Sequence, residues 1–233
     1  MLLYVIRHGD PDYSTDSLTA LGREQAEKCA HRLLRAHIDE VFCSPKGRAI
    51  ETAEAFTRLT GLDKTIVEWA REFPGHIDAE KYGGPTVSKI PPVLFRGEYD
   101  KLDYDHGMDY PAFGETRFRE RFEIMRQGAF DFLKDHGYEY DEEKGYFNIL
   151  NPNEKRVALF CHGNMGRALT SYLLHLPIQT VFGGFGLAHT AITVFWFENR
   201  EEGITVPKCL TLGDVTHLTT EEHGAPYYDK VEF

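Results

Sequence analysis

Leu2-Leu3-Tyr4-Val5-Ile6-Arg7-His8-Gly9 and Val157-Ala158-Leu159-Phe160-Cys161-His162-Gly163-Asn164 end in the same way. Each is an apolar, partly β-branched run of strand length, closed by a histidine and a glycine. Runs that are apolar throughout suit parallel strands covered on both faces. In an open parallel sheet, chemistry gathers where the carboxyl ends of strands meet a crevice. Two histidines at that edge, the first beside an arginine, point to an anion site holding a nucleophile.

The intervening chain supports such a sheet. Thr19 stands as an N-cap before Ala20 to Ala36, where Leu21, Cys29, Ala30, Leu33 and Leu34 recur at helical spacing. Asp39 to Cys43 reads as a short strand. Ser44-Pro45 then opens a helix that stops at Gly61. Thr65 to Trp69 reads as a third strand. Strand, helix, strand, helix, strand is the alternation of a parallel α/β fold. The expected architecture is a three-layer α/β sandwich, its mostly parallel sheet covered by helices on both faces.

From Phe73 to Gly114 the alternation breaks. Prolines and glycines mix with Tyr82, Phe95, Tyr99, Tyr104 and Tyr110. That much aromatic content predicts an ordered insertion over the carboxyl edge of the strands, with Tyr82, Phe95 and Tyr99 in its pocket wall. Helix returns from Glu115 to His136, and residues 138–150 read as a β-hairpin. The sheet resumes at Arg156 to Cys161. A helix from Met165 to Leu174 follows, then strands near Thr190 to Phe197 and Lys208 to Leu212. The reading is one domain over residues 1–233, with the insertion at 73–114 and the small hairpin at 138–150.

The 233 residues carry a net charge of −11, which argues against general nucleic-acid binding. A locally positive pocket for an anionic substrate remains compatible with it. No apolar run is long enough to span a bilayer, so no membrane association is expected. The apolar N-terminus lacks a basic leader and reads as a strand, not a signal peptide. Cys29, Cys43, Cys161 and Cys209 form no C-x-x-C pair and read as buried thiols, in keeping with a reducing cytoplasm. No histidine pair has the His-x-x-x-His spacing of a metal site with a nearby glutamate, so no metal is expected. The sequence leaves the oligomeric state open.

Geometry gathers Arg7, His8, Arg48 and His162 into one pocket. Arg7 and His8 end one strand and His162 ends another. Arg48 lies in the first turn or so of the helix after Asp39–Cys43, at the same sheet edge. Arginine offers a fork of donors matched to phosphate oxygens, and neutral imidazole is a competent nucleophile. Ser44 suits either phosphate contact or helix capping. Asn164 and His189 either line the pocket or fix turns.

These residues resemble the histidine phosphatase superfamily, the group that includes phosphoglycerate mutases and bacterial phosphatases. Arg7-His8-Gly9 is similar to its leading motif. Leu18-Thr19 with Gly22, Gln25 and Ala26 resembles its first-helix pattern. Ser44-Pro45 with Arg48, Ala49, Glu51, Thr52 and Ala53 resembles its second-arginine motif. His162-Gly163-Asn164 with Arg167 resembles its second-histidine motif, and Gly213-Asp214-Val215-Thr216-His217-Leu218 its tail pattern.

The resemblance implies a phosphatase acting on a small phosphorylated substrate. His8 would carry a phosphohistidine, while Arg7, Arg48 and His162 hold the phosphoryl oxygens and Asn164 adds a phosphate contact. It also implies a carboxylic acid after the third strand as general acid and base. Glu72 falls there, with Glu68 and Asp10 in reserve. No metal or organic cofactor is implied. Asp10 to Ser17 stands where mutases carry a longer run with Trp-Asn, which favours phosphatase over mutase. A non-catalytic phosphate-binding module is the reading from another class.

Overall fold

Strand β1 (Leu2–Arg7) turns alternate side chains into two buried layers. In the computed structural model, which describes residues 1–74, 76–96, 103–114 and 116–218, it lies inside a six-stranded sheet. The other strands are β2 (Glu40–Cys43), β3 (Lys64–Ile66), β4 (Arg156–Cys161), β5 (Ile192–Trp196) and β6 (Lys208–Asp214). Their order is β6-β5-β1-β4-β2-β3. The pairs β1–β4, β4–β2 and β2–β3 are parallel, while β5 runs antiparallel to both β1 and β6.

Helices α1 (Ala20–Leu33) and α2 (Gly47–Thr60) cover one face. Ala26, Ala30, Ala53 and Phe56 meet Ile6, Ala158 and Phe160 there. Helices α3 (Phe118–Asp135) and α4 (Gly163–Leu174) cover the other, where Met125, Ala129, Met165 and Leu169 meet Leu3, Val5, Val157 and Leu159. Each large apolar side chain sealed in these layers stabilises the fold by roughly 1.5–3 kcal/mol. The expected three-layer α/β sandwich is present.

Several boundaries differ from the sequence reading. Thr19 does cap α1, accepting from Gly22 N at 3.0 Å. Helix α2 begins later than Ser44-Pro45 suggests: Lys46 holds the N-cap position and Ser44 is used elsewhere. The third strand stops at Ile66 and gives way to a 3-10 turn at Glu68–Ala70. The hairpin Tyr138–Asp141 and Tyr146–Ile149 gains a third strand, Ile204–Thr205. A further helix, α5 (Ile178–Gly184), follows a proline and lacked a long apolar period to announce it.

The described residues of segment 73–114 include short helices and 3-10 turns, among them Ala79–Tyr82, Val87–Lys89, Pro92–Arg96 and Pro111–Gly114. Tyr82, Phe95 and Tyr110 are buried, with the rings of Phe95 and Tyr110 at 4.9 Å. Phe113 packs on Phe182 of α5. Tyr82 and Phe95 therefore form the segment's own core instead of a pocket wall: a short segment must bury its largest apolar groups to hold itself together. Tyr99 lies outside the described residues. Cys29, Cys43 and Cys161 are buried free thiols and Cys209 is half-buried. Among the described residues no helix is long and apolar enough to cross a membrane.

Candidate active site

Register brings the two His-Gly turns together. Arg7 on β1 pairs with Cys161 on the adjacent β4, and His8 N bonds Cys161 O at 3.0 Å. Cys43 on β2 pairs with Phe160, so Ser44 leaves the sheet beside His162. The rings of His8 and His162 stand 5.2 Å apart, edge to face, and both are sealed from solvent. The glycine after His8 is required by close approach. A Cβ on Gly9 would meet Gly22 O at 2.4 Å, and one on Gly22 would meet Asp10 O at 2.1 Å.

The His8 imidazole is held in one tautomer. His8 Nδ1 lies 2.7 Å from Gly9 O, so Nδ1 donates and Nε2 keeps its lone pair. Arg48 Nε donates to that Nε2 at 3.2 Å. His162 Nε2 lies 2.7 Å from Ser44 Oγ. Burial, then the charge of Arg7, pushes the His8 imidazolium well below its ordinary range. Burial, then Arg48 and Arg7, does the same to His162. Both rings are neutral at neutral pH.

Arg7 donates to Leu187 O at 2.5 Å and lies against Gly163. Arg48 is held by Asp16, whose Oδ1 accepts from Nη1 and whose Oδ2 accepts from Gly47 N at 3.1 Å. The exposed ring of Tyr13 covers the Arg48 guanidinium at 5.4 Å. Thr52 Oγ1 joins the two halves, donating to Arg48 O and accepting from Gly9 N. Asp16 and Thr52 escaped the sequence reading as partners. Asp16 has a positive φ of 52°, a backbone state that no apolar period signals.

Glu72 sits at the amino end of α4. Its carboxylate accepts from Phe73 N at 2.9 Å, Met165 N at 3.0 Å and Asn164 N at 3.4 Å. The last two are donors that the N-terminus of α4 leaves free. Asn164 Oδ1 accepts from Arg167 at 3.2 Å. Of the two reserve carboxylates, Glu68 points to solvent and pairs with Arg71 at 2.6 Å, so it is not brought to the histidines. Asp10 accepts from Thr19 Oγ1 at 2.7 Å and lies 3.5 Å from His189 Nδ1. His189 stands 5.9 Å from His8, ring to ring, and burial and Arg7 lower its pKa to about 3.

Above these groups opens a cavity of about 660 Å³. Arg7, Tyr13, Glu72, Asn164 and Arg167 line its sheet side, and His76, Thr86, Ser88 and Lys89 its far side. The far wall belongs to the 73–114 segment, where Thr86 pairs with His76 in an isolated bridge. Arginines and a lysine outnumber the one carboxylate, so the cavity is cationic in an acidic chain. It can take an anion with an attached group larger than phosphate alone.

The sequence model of the histidine phosphatase superfamily (branch 1) matches residues 3–122. A probable phosphatase of Schizosaccharomyces pombe is 26% identical over 240 residues, covering 96% of this chain and 98% of its own. A phosphoserine phosphatase of Entamoeba histolytica, solved with 3-phosphoglyceric acid, superposes with a TM-score of 0.61 at 20% identity, over 94% of this chain and 99% of that one. A mycobacterial glucosyl-3-phosphoglycerate phosphatase gives 0.62 at 23% identity, over 91% and 98%. The two structures share the fold.

Proposed function

The chain is a histidine phosphatase, a member of the histidine phosphatase superfamily, and from that premise we propose that it hydrolyses a small phosphomonoester through a phosphohistidine on His8. The observation that carries this reading is the tautomer of His8. Its Nδ1 is committed to Gly9 O, so the lone pair on Nε2 is free to attack. In the free enzyme Arg48 Nε donates to that atom. An incoming phosphate draws the guanidinium onto its own oxygens and exposes Nε2.

Nε2 then attacks phosphorus as the ester P–O bond breaks. Arg7, Arg48 and His162 hold the three equatorial oxygens and offset the charge they gain. His162 Nδ1 is buried and has no hydrogen-bond partner among the described residues, which suits a donor reserved for one of these oxygens. Asn164 adds a contact at the α4 terminus. Glu72 protonates the leaving oxygen. It then takes a proton from water as the water attacks phosphorus and the P–N bond breaks, which frees His8 and releases phosphate. Substrate choice rests with the wall formed by His76, Thr86, Ser88 and Lys89. None of these steps calls for a metal.

Brief mixing with a phosphorus-labelled substrate, quenched in base, tests the reading. Label retained on the parent protein, lost in acid and absent from His8→Ala is the expected result. A chain that never labels is a binding module. One that labels but converts 3-phosphoglycerate to its 2-isomer without net hydrolysis is a mutase.

A further inference from the structure

Arg121 of α3 is nine-tenths buried, yet no carboxylate lies within ion-pair distance of it among the described residues. Burying a cation without a counter-ion is costly, and a side chain kept there needs a reason. Its Nη2 donates to Trp69 O at 2.5 Å and to Arg71 O at 2.6 Å. Nε and Nη1 are sealed and have no partner among the described residues. The guanidinium lies 5.3 Å over the Phe73 ring. It is thus fastened to the residues on either side of Glu72.

One face of α3 receives this turn. Gly128, two helical turns beyond Arg121, lies against Trp69, where a Cβ would come within 2.2 Å of Trp69 Cβ. The backbone from Trp69 to Phe73 is clasped by Arg121 at one point and seated against a bare helix surface at another. Glu72 has no such fixed path of its own: it hangs from a 3-10 turn at the end of the short strand β3. The cation also interacts favourably with the Glu72 charge, and it reaches His162.

We propose that Arg121 is a positioning residue for Glu72, holding the 69–73 turn so that the carboxylate meets the α4 terminus beside the two histidines. The catalytic part of this inference rests on Glu72 acting as the general acid; the positioning part does not. Arg121 is not among the residues that line the cavity over the histidines, whereas Glu72 is. Its loss should slow the steps that need Glu72 and spare the others.

Two measurements on Arg121→Met, Arg121→Lys and Glu72→Gln separate these parts. The first follows the amide resonances of Asn164 and Met165, which bond Glu72 directly. Arg121→Met should displace both, in the direction that Glu72→Gln displaces them, and Arg121→Lys should displace them less. The second compares glycerol 2-phosphate with p-nitrophenyl phosphate, whose leaving group departs without a proton. Arg121→Met should lower kcat on the alkyl ester by about thirtyfold and on the nitrophenyl ester by less than about threefold, with KM little changed. Undisturbed amides in Arg121→Met would overturn the proposal, as would equal losses on both esters while Glu72→Gln discriminates between them. Displaced amides with no discrimination by either variant would uphold the positioning and overturn Glu72 as the acid. If Arg121→Met does not fold, Arg121→Lys decides on the same two readouts.

Discussion

Ser44 Oγ and His162 Nε2 lie 2.7 Å apart, and both side chains are sealed from solvent. Ser44 Oγ also accepts from Lys46 N at 3.4 Å. If the hydroxyl donates to Nε2, the ring proton of neutral His162 stands on Nδ1, where no partner among the described residues takes it. The serine does not cap the helix; it holds the ring that the proposed mechanism sets against the phosphoryl group.

Ser44→Ala removes that constraint. The ring can then flip or shift its proton, and a donor to the phosphoryl group is lost part of the time. Outer-shell partners of this kind are typically worth about 10–100-fold, so kcat should fall by at least tenfold. Stability should fall by about 1–3 kcal/mol, because the buried Nε2 is left without its partner. Steady-state kinetics with urea unfolding measure both. A variant with parental kcat would show that His162 needs no help from Ser44.

The buried imidazoles make stability depend on pH. Folded His8 and His162 titrate well below the ordinary value of 6.5, and His189 at about 3. In the unfolded chain all three take up protons as pH falls through about 6.5. The unfolded state then binds more protons, so stability rises with pH in this range. The contribution is complete above 6.5 and is lost as pH falls toward 3. His106, raised by the exposed Asp103, works in the opposite direction from the surface. The urea midpoint should drop between pH 7.5 and 5.5, before most carboxylates titrate. His189→Gln should flatten that slope. A midpoint that stays level or rises toward pH 5.5 would contradict the neutral burial of these rings.

Lys89 tests the far wall of the cavity. It lines the cavity with Arg7 and Arg167 and has no acidic partner among the described residues. A substrate with a second anionic group would find it available. Phosphoserine and phosphoethanolamine differ by one carboxylate. Lys89→Ala should raise KM for phosphoserine by about tenfold and for phosphoethanolamine by less than about twofold, since one charge-assisted hydrogen bond is lost in one case only. Equal rises for both would place Lys89 on the shared phosphate, and unchanged KM for both would place it outside the substrate's reach.

What the sequence revealed and concealed divides along one physical line. Features written in consecutive residues were readable. The apolar runs ending at His8 and His162 marked central parallel strands, and Thr19 marked a helix start. Arg48 was readable from its place in the first turn of a helix at the same edge. Glu72 could be separated from Glu68 only by the structure, because a 3-10 turn, not a longer strand, decides which of them faces inward. The pairing of Ser44 with His162 spans 118 residues and carries no local period. The aromatics of the 73–114 segment were visible, but whether Tyr82 and Phe95 faced a pocket or each other depended on packing with α5.

Asp16 is the least expected member of the site, and its two roles can be separated by mutation. Its side chain ties Arg48 and Gly47 N to the loop before α1, while its backbone adopts a positive φ of 52°. Asn tolerates that backbone state well, and Ala does not, at about 1–2 kcal/mol. Asp16→Asn should therefore keep most of the stability but lose the charge that holds Arg48. Asp16→Ala should lose both. A freed Arg48 binds phosphate less well because its side chain must be ordered at each encounter. KM should rise by about tenfold in both variants, with kcat reduced less, since Arg48 can still reach the phosphoryl oxygens once substrate is bound. Thermal unfolding should place Asp16→Asn close to the parent and Asp16→Ala below it. Matching stabilities in the two variants would mean that the left-handed backbone at position 16 costs alanine nothing. A parental KM in Asp16→Asn would mean that Arg48 is positioned by Thr52 and Tyr13 without the ion pair.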